Sequence, residues 1–201
     1  LHSLRRRQRQ MCIRDSGLPE ESMENALKTY RYNSLPPNDT AGAEKFIREI
    51  LGKAGKNITI RPPFYCDYGK NIEIGDNFFA NFNTVILDVG KVKIGNNVMF
   101  APNVSVYTAG HPIHPDSRNS GYEYGIAVII GDNVWIGGNA VINPGVTIGN
   151  NCVIGAGSVV TKNIPDNSIA VGNPARVIRK ITDDDRRYYF KNLVFDVDDY
   201  K

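Results

Sequence analysis

From Ile130 the chain repeats with a period of six residues, as IGDNVW, IGGNAV, INPGVT, IGNNCV, IGAGSV and VTKNIP. The first position of each hexamer holds Ile130, Ile136, Ile142, Ile148, Ile154 and Val160. The fifth holds Val134, Ala140, Val146, Cys152, Ser158 and Ile164, mostly small or β-branched. Upstream, IGDNFF at 74–79 and IGNNVM at 94–99 carry the same pattern. Ile94 precedes Ile130 by 36 residues, a whole number of hexamers, so the phase survives the segment between them.

A period of six fits neither a helix nor continuous two-residue alternation. It suits very short strands separated by turns, each hexamer pointing one branched aliphatic inward. Gly, Asn and Asp at positions two to four supply the turn dihedrals. Coils stacked in this way pair their strands in parallel and bury a column of isoleucines, as solenoids do. Each buried aliphatic contributes roughly 1.5–3 kcal/mol, so a column of about ten supports the rod. The expectation is an all-β solenoid.

Composition matters mainly for what it excludes. The chain has 201 residues and a formal charge of +3. It has no apolar run near the roughly eighteen residues of a membrane span. Five of the 24 Lys+Arg and one of the 21 Asp+Glu lie in residues 1–16, LHSLRRRQRQMCIRDS. Back-translated, Arg6 to Ser16 resemble a transposase adapter used in library preparation, so 1–16 are expected not to be native. The alternative is a natural basic arm. The remaining 19 Lys+Arg against 20 Asp+Glu leave no compositional case for nucleic acid or anionic membrane as a partner. Cys66 and Cys152 lack metal-ligand spacing, and a reduced, cytoplasmic protein is the simplest reading.

Three stretches carry a resemblance: RPPFYCDYGKNIEIGDNFFANFNTVILDVGKVKIGNNVMFAPNVSVYTAGHP, RNSGYEYG, and IGDNVW through GNPARVIRKI. Together they resemble the maltose/galactoside O-acetyltransferases, hexapeptide-repeat acyltransferases, from about Tyr30 to Asn192. NFN, TAGHP and GNPARVIRK in this order are the specific part. The resemblance implies a left-handed parallel β-helix over 58–180, with a loop extruded at about 107–127. It implies a helical cap remnant over 17–57, where PEESMENALKTYRYNSL has a helix start signal at Pro19. After the β-helix, residues 181–201 read as a C-terminal extension. There Thr182 and Asp185 form a capping box for a short helix, whose aromatic face is expected to pack on the rod. The family's acidic acceptor contact in the first part of the cap has no counterpart here.

Acetyl transfer from a thioester to a sugar hydroxyl needs a base for the hydroxyl proton, a donor for the oxyanion, and alignment of both substrates. The resemblance makes acetyl-CoA the co-substrate and His111 of YTAGHP the catalytic base. His114, three residues on, has no counterpart in the family pattern and reads as an exposed loop residue. Glu123 of GYEYG is the candidate to orient His111 and stabilise its imidazolium, as a maltose-type feature. Asn81 of ANFN and Asp67 of CDYG match acceptor-binding positions, whereas Asn83 reads as a turn residue. The galactoside branch has a second acid after the position of Asp88; Val89 stands there instead, which points to a maltose- or glucose-like acceptor. Along the later coils Trp135, Gly138, Ala156, Thr161, Lys162, Arg176 and Arg179 match coenzyme A contacts, with the two arginines at the nucleotide end.

The resemblance also implies a homotrimer with sites between neighbouring β-helices. Zinc is not expected, because two adjacent histidines fall short of the three protein ligands of a catalytic site. The competing readings are transfer to another glycan or a lipo-oligosaccharide, and a β-helix that binds or scaffolds without catalysis.

Overall fold

The structure is a computed structural model that describes residues 11–12 and 18–195. Its body is a left-handed parallel β-helix of about six turns. Each turn contributes a short strand to three flat faces. The first face stacks Lys53–Ala54, Ile72–Ile74, Val92–Ile94, Val128–Ile130 and Thr147–Ile148. The second runs from Thr59–Ile60 through Phe79–Ala80, Met99–Phe100, Trp135–Ile136 and Val153–Ile154 to Ser168–Gly172. The third stacks Phe64–Cys66, Thr84–Leu87, Ser105–Tyr107, Val141–Ile142 and Val159–Val160.

The hexamer's first residue is the one that faces inward. Ile74, Ile94, Ile130 and Ile148 line the first face, Ala80, Phe100, Ile136 and Ile154 the second, and Ile86, Val106, Ile142 and Val160 the third, all buried. The fourth position makes the turn. Asn77, Asn97, Asn133, Asn139 and Asn151 have φ of 54–59°, and Gly145 and Gly157 take the same left-handed region. Asparagine tolerates that region better than other side chains.

Register resolves the 36-residue interval. Ile94 pairs directly with Ile130, so six hexamers amount to one coil plus an extruded segment rather than two coils. That segment leaves the third face after Tyr107 and re-enters the first at Val128.

Helices α1 (Leu18–Asn33) and α2 (Thr40–Ile50) close the lower end. The Asn33 amide donates to the Phe64 carbonyl at 2.9 Å, and its oxygen accepts from the Phe64 N–H at 2.8 Å. Tyr32, Ile47 and Ile50 join the core, and Asp39 caps α2 by accepting from the Gly42 N–H. No helix among the described residues is long and apolar enough to cross a membrane.

At the upper end, Ala175–Lys180 folds back antiparallel on Ser168–Gly172. Thr182 then opens a single 3-10 turn, Asp183–Arg187, its N–H donating to the Asp185 carboxylate at 2.8 Å. The aromatic run differs from expectation. Tyr188–Phe190 lies beyond that turn and pairs with Leu193–Val194 in a hairpin whose side chains are exposed, not packed on the rod. A five-residue turn is too short to carry an aromatic face.

Candidate active site

The extruded segment is built as a hairpin on a stem. Ala109 pairs with Gly125 and Gly110 with Tyr124, antiparallel. One residue further, that register sets His111 opposite Glu123. The tip holds a short helix α3, Pro115–Asn119, and Ile113 there is 95% exposed. Of the residues expected to be foreign to the native chain, Met11–Cys12 pair antiparallel with Tyr122 and Glu123 of this hairpin.

His111 Nδ1 lies 3.1 Å from the Tyr122 carbonyl oxygen. A carbonyl only accepts, so Nδ1 carries the proton and, in the neutral ring, Nε2 holds the lone pair. Nε2 faces Glu123, with Oε1 at 3.8 Å, beyond hydrogen-bond reach. The ring is thus oriented by a backbone carbonyl, and the Glu123 carboxylate sits beside the nitrogen that would take a proton. His114 acts only locally, as the residue capping α3, where its Nδ1 accepts from the Asp116 N–H at 3.3 Å.

Acids gather below the hairpin. Asp67 follows the strand Phe64–Cys66 at the same corner of the rod. Burial, then the nearby charges of Asp88 and Glu123, push its carboxyl up to about 6. Asp88 is fully buried and accepts from the Tyr68 N–H at 2.9 Å. Burial raises its pKa, opposed by the hydrogen bonds it accepts from the Tyr68 and Asn71 amides. Burial and then Asp67, Glu123 and Asp88 likewise raise the Tyr68 phenol. Asp67 and Tyr68 therefore feel the charge of Glu123, whose carboxylate faces His111. Among the described residues no three His, Cys, Asp or Glu side chains converge as a metal would require.

The remaining candidates divide by edge. Asn81, Gly138 and Ala156 lie where the second face turns into the third, just beyond Phe79–Ala80, Trp135–Ile136 and Val153–Ile154. Asn81 accepts from the Phe82 N–H at 2.9 Å, and Asn83 (φ 61°) donates to Asn103 as a turn residue. Along this edge bulk falls away from Phe82 to Gly138 and Ala156, beside a half-exposed Trp135. Such a smooth strip fits a long, thin ligand lying against the backbone. Thr161 and Lys162 are exposed on the other edge, the one that carries His111. Arg176 and Arg179 lie on the fold-back strand. Arg176 donates to the Ala175 carbonyl, whereas Arg179 makes a two-pronged pair with Asp185 at 2.8 and 2.7 Å. Contact with a phosphate by Arg179 would require that pair to open.

Sequence reasoning passed over two groups that shape this site, Thr108 and the Tyr122 carbonyl. It treated Asp88 only as a landmark. A signal existed for Asp88: IGDNFF and IGNNVM are 20 residues apart rather than 18, so the coil between them has an enlarged corner. Nothing in the sequence marked the Tyr122 carbonyl.

The Bacterial transferase hexapeptide (six repeats) family profile matches residues 127–162. The galactoside O-acetyltransferase of Escherichia coli (strain K12) is 50% identical over 182 residues, spanning 90% of this chain and 88% of that protein. A galactoside acetyltransferase solved in complex with coenzyme A superposes with a TM-score of 0.92 at 46% identity, covering 96% of each chain. A maltose O-acetyltransferase from Clostridium difficile 630 does so with a TM-score of 0.83 at 53% identity, over 84% of this chain and 90% of that one. The chain belongs to the maltose/galactoside O-acetyltransferase family of hexapeptide-repeat enzymes and is an acyltransferase.

Proposed function

We propose that the chain transfers acetyl from acetyl-CoA to a hydroxyl of a maltose- or glucose-like sugar, at the primary 6-hydroxyl, with His111 as general base. The observation that carries this reading is the imidazole geometry. The Tyr122 carbonyl holds Nδ1–H, leaving Nε2 as the accepting nitrogen on an exposed edge. Acetyl-CoA supplies the activated acyl group. As the sugar oxygen bonds to the acyl carbon, His111 Nε2 takes the hydroxyl proton. Glu123 offsets the positive charge that develops on the ring. When the C–S bond breaks, His111 returns the proton to the departing sulfur. Asp67 is suited to accept a hydrogen bond from a second sugar hydroxyl, and Val89 in place of an acid favours a gluco over a galacto acceptor.

The strip of Gly138 and Ala156 with Trp135 would hold the pantetheine arm. Thr161, Lys162, Arg176 and, once released from Asp185, Arg179 would serve its outer end. Asn81 and this strip lie on one edge and His111 on another, which favours a homotrimer whose sites form between neighbouring copies. Cys66 and Cys152 are free thiols, in keeping with a cytoplasmic, reducing location.

A coenzyme A release assay against maltose, glucose, galactosides and chitooligosaccharides tests the reading. Fastest release with maltose or glucose is expected. A preference for chitooligosaccharides would move the acceptor to another glycan, and no release with any sugar would leave a binding or scaffold role.

A further inference from the structure

Two fully buried polar side chains lie at the corner between the third and first faces, in successive coils, and neither takes part in the chemistry proposed above. The corner Asp88–Lys91 joins the strands Thr84–Leu87 and Val92–Ile94. Below it, the Asp88 carboxylate accepts from the Tyr68 N–H at 2.9 Å and, more weakly, from the Asn71 N–H at 3.4 Å. The Asn71 amide in turn donates to the Asp88 carbonyl at 2.7 Å. These bonds fix the turn that begins at Asp67.

Above the same corner, Thr108 closes the stem of the extruded hairpin. Its hydroxyl donates to the Leu87 carbonyl at 2.6 Å and accepts from the Gly90 N–H at 2.8 Å. Its own N–H donates to Leu87 at 3.0 Å, and its carbonyl accepts from the returning strand at the Ile126 N–H, 2.8 Å. Gly90 and Gly125 touch backbone to backbone here; a Cβ on Gly125 would stand 2.7 Å from the Gly90 nitrogen. From this knuckle the pairs Ala109–Gly125 and Gly110–Tyr124 run directly to His111 and Glu123.

One four-residue corner is therefore bonded to the turn of Asp67 on one side and to the stem of His111 on the other. We propose that Asp88 and Thr108 are positioning residues that set the spacing between Asp67 and the His111–Glu123 pair. The assignment rests on the function proposed above for the roles of those three groups. A valine would fill the volume of Thr108. What valine cannot do is tie Gly90 to Leu87 through one oxygen.

The test uses the full chain and two readouts. In steady-state acetyl transfer, Thr108→Val should lower kcat roughly tenfold or more, because small displacements of a base are costly, while the acetyl-CoA KM stays within about twofold. Thr108→Ser, which keeps the hydroxyl, should retain most of the wild-type kcat. Asp88→Asn should act mainly on the acceptor KM. The second readout needs no turnover: ring-nitrogen NMR shifts of His111 should report the Nδ1–H tautomer in the wild type and in Thr108→Ser, and a mixture of tautomers in Thr108→Val. Should the valine variant fail to fold, Gly125→Ala, which pushes the stem off Gly90, is expected to give the same ring signature. A serine variant as impaired as the valine one, or a His111 tautomer indifferent to both Thr108→Val and Gly125→Ala, would overturn the proposal. If the wild type acetylates no sugar while the tautomer responds as described, the proposed function falls and the positioning role stands.

Discussion

Two edges of the rod follow opposite rules. Where the first face turns into the second, every coil is built alike. Asn57, Asn77, Asn97, Asn133, Asn151 and Asn167 all take positive φ, and the side-chain amide of each of the first five donates to the next asparagine up the ladder at 2.9–3.0 Å. Where the third face turns into the first, the coils diverge. One corner carries Asp67 and Tyr68, the next Asp88 and Gly90, and the third extends into the whole His111 hairpin. Repetition is what a stack of short parallel strands needs for stability, since each coil's polar groups are satisfied by its neighbours. Chemistry needs dissimilar groups brought together, and the candidate groups Asp67, His111 and Glu123 gather on the edge where the repeat is relaxed.

Substitutions can break that contrast or sharpen it. The largest effect is expected on the irregular edge: His111→Ala should lower acetyl transfer by roughly 10²–10⁴ in a thiol-release assay while the melting curve barely moves. In the regular rod the sign reverses. Ile136→Ala, in the middle of the buried column, should cost about 2–5 kcal/mol in urea unfolding by opening a cavity, with activity retained while the chain stays folded. On the asparagine edge, Asn133→Ala should cost about 1–2 kcal/mol through left-handed strain. Asn133→Gly should recover part of that loss, and equal losses would mean that the amide ladder, not the dihedral, is what matters.

A smaller effect concerns pH. Asp67 holds its proton more tightly in the fold, at about 6 against an ordinary 3.8, so its contribution to stability falls as pH rises between those values and stays low above them. Asp67→Asn should therefore melt higher than the wild type at pH 7–8, with the gap closing below about pH 4 in differential scanning calorimetry. An unchanged gap across that range would remove Asp67 from the acid cluster. The smallest effect should come from His114→Ala, whose loss is one exposed cap of a five-residue helix and whose transfer rate should stay within about twofold of wild type.

The rod was legible because its information is redundant. Ile130, Ile136, Ile142, Ile148, Ile154 and Val160 state the same instruction six times, and the buried column obeys it. The family followed from TAGHP, NFN and GNPARVIRK. The C-terminal aromatics were misplaced because a capping box specifies where a helix starts and says nothing about where it ends. Arg179 was legible as a cation, but its pairing with Asp185 depends on the 3-10 turn between them.

By itself the sequence determined the solenoid, the extruded segment and the residue types available for acyl transfer. The solenoid follows from the local period, which needs no knowledge of distant neighbours; the other two follow from the motifs shared with the family. Only the tertiary structure decided that a Tyr122 carbonyl, not Glu123, orients the His111 ring. It alone decided that Glu123 faces Nε2, and that Asp88 and Thr108 tie Asp67 and His111 to one corner. The physical reason is register. A backbone carbonyl carries no residue-specific signature, and which one meets an imidazole is fixed when two strands pair.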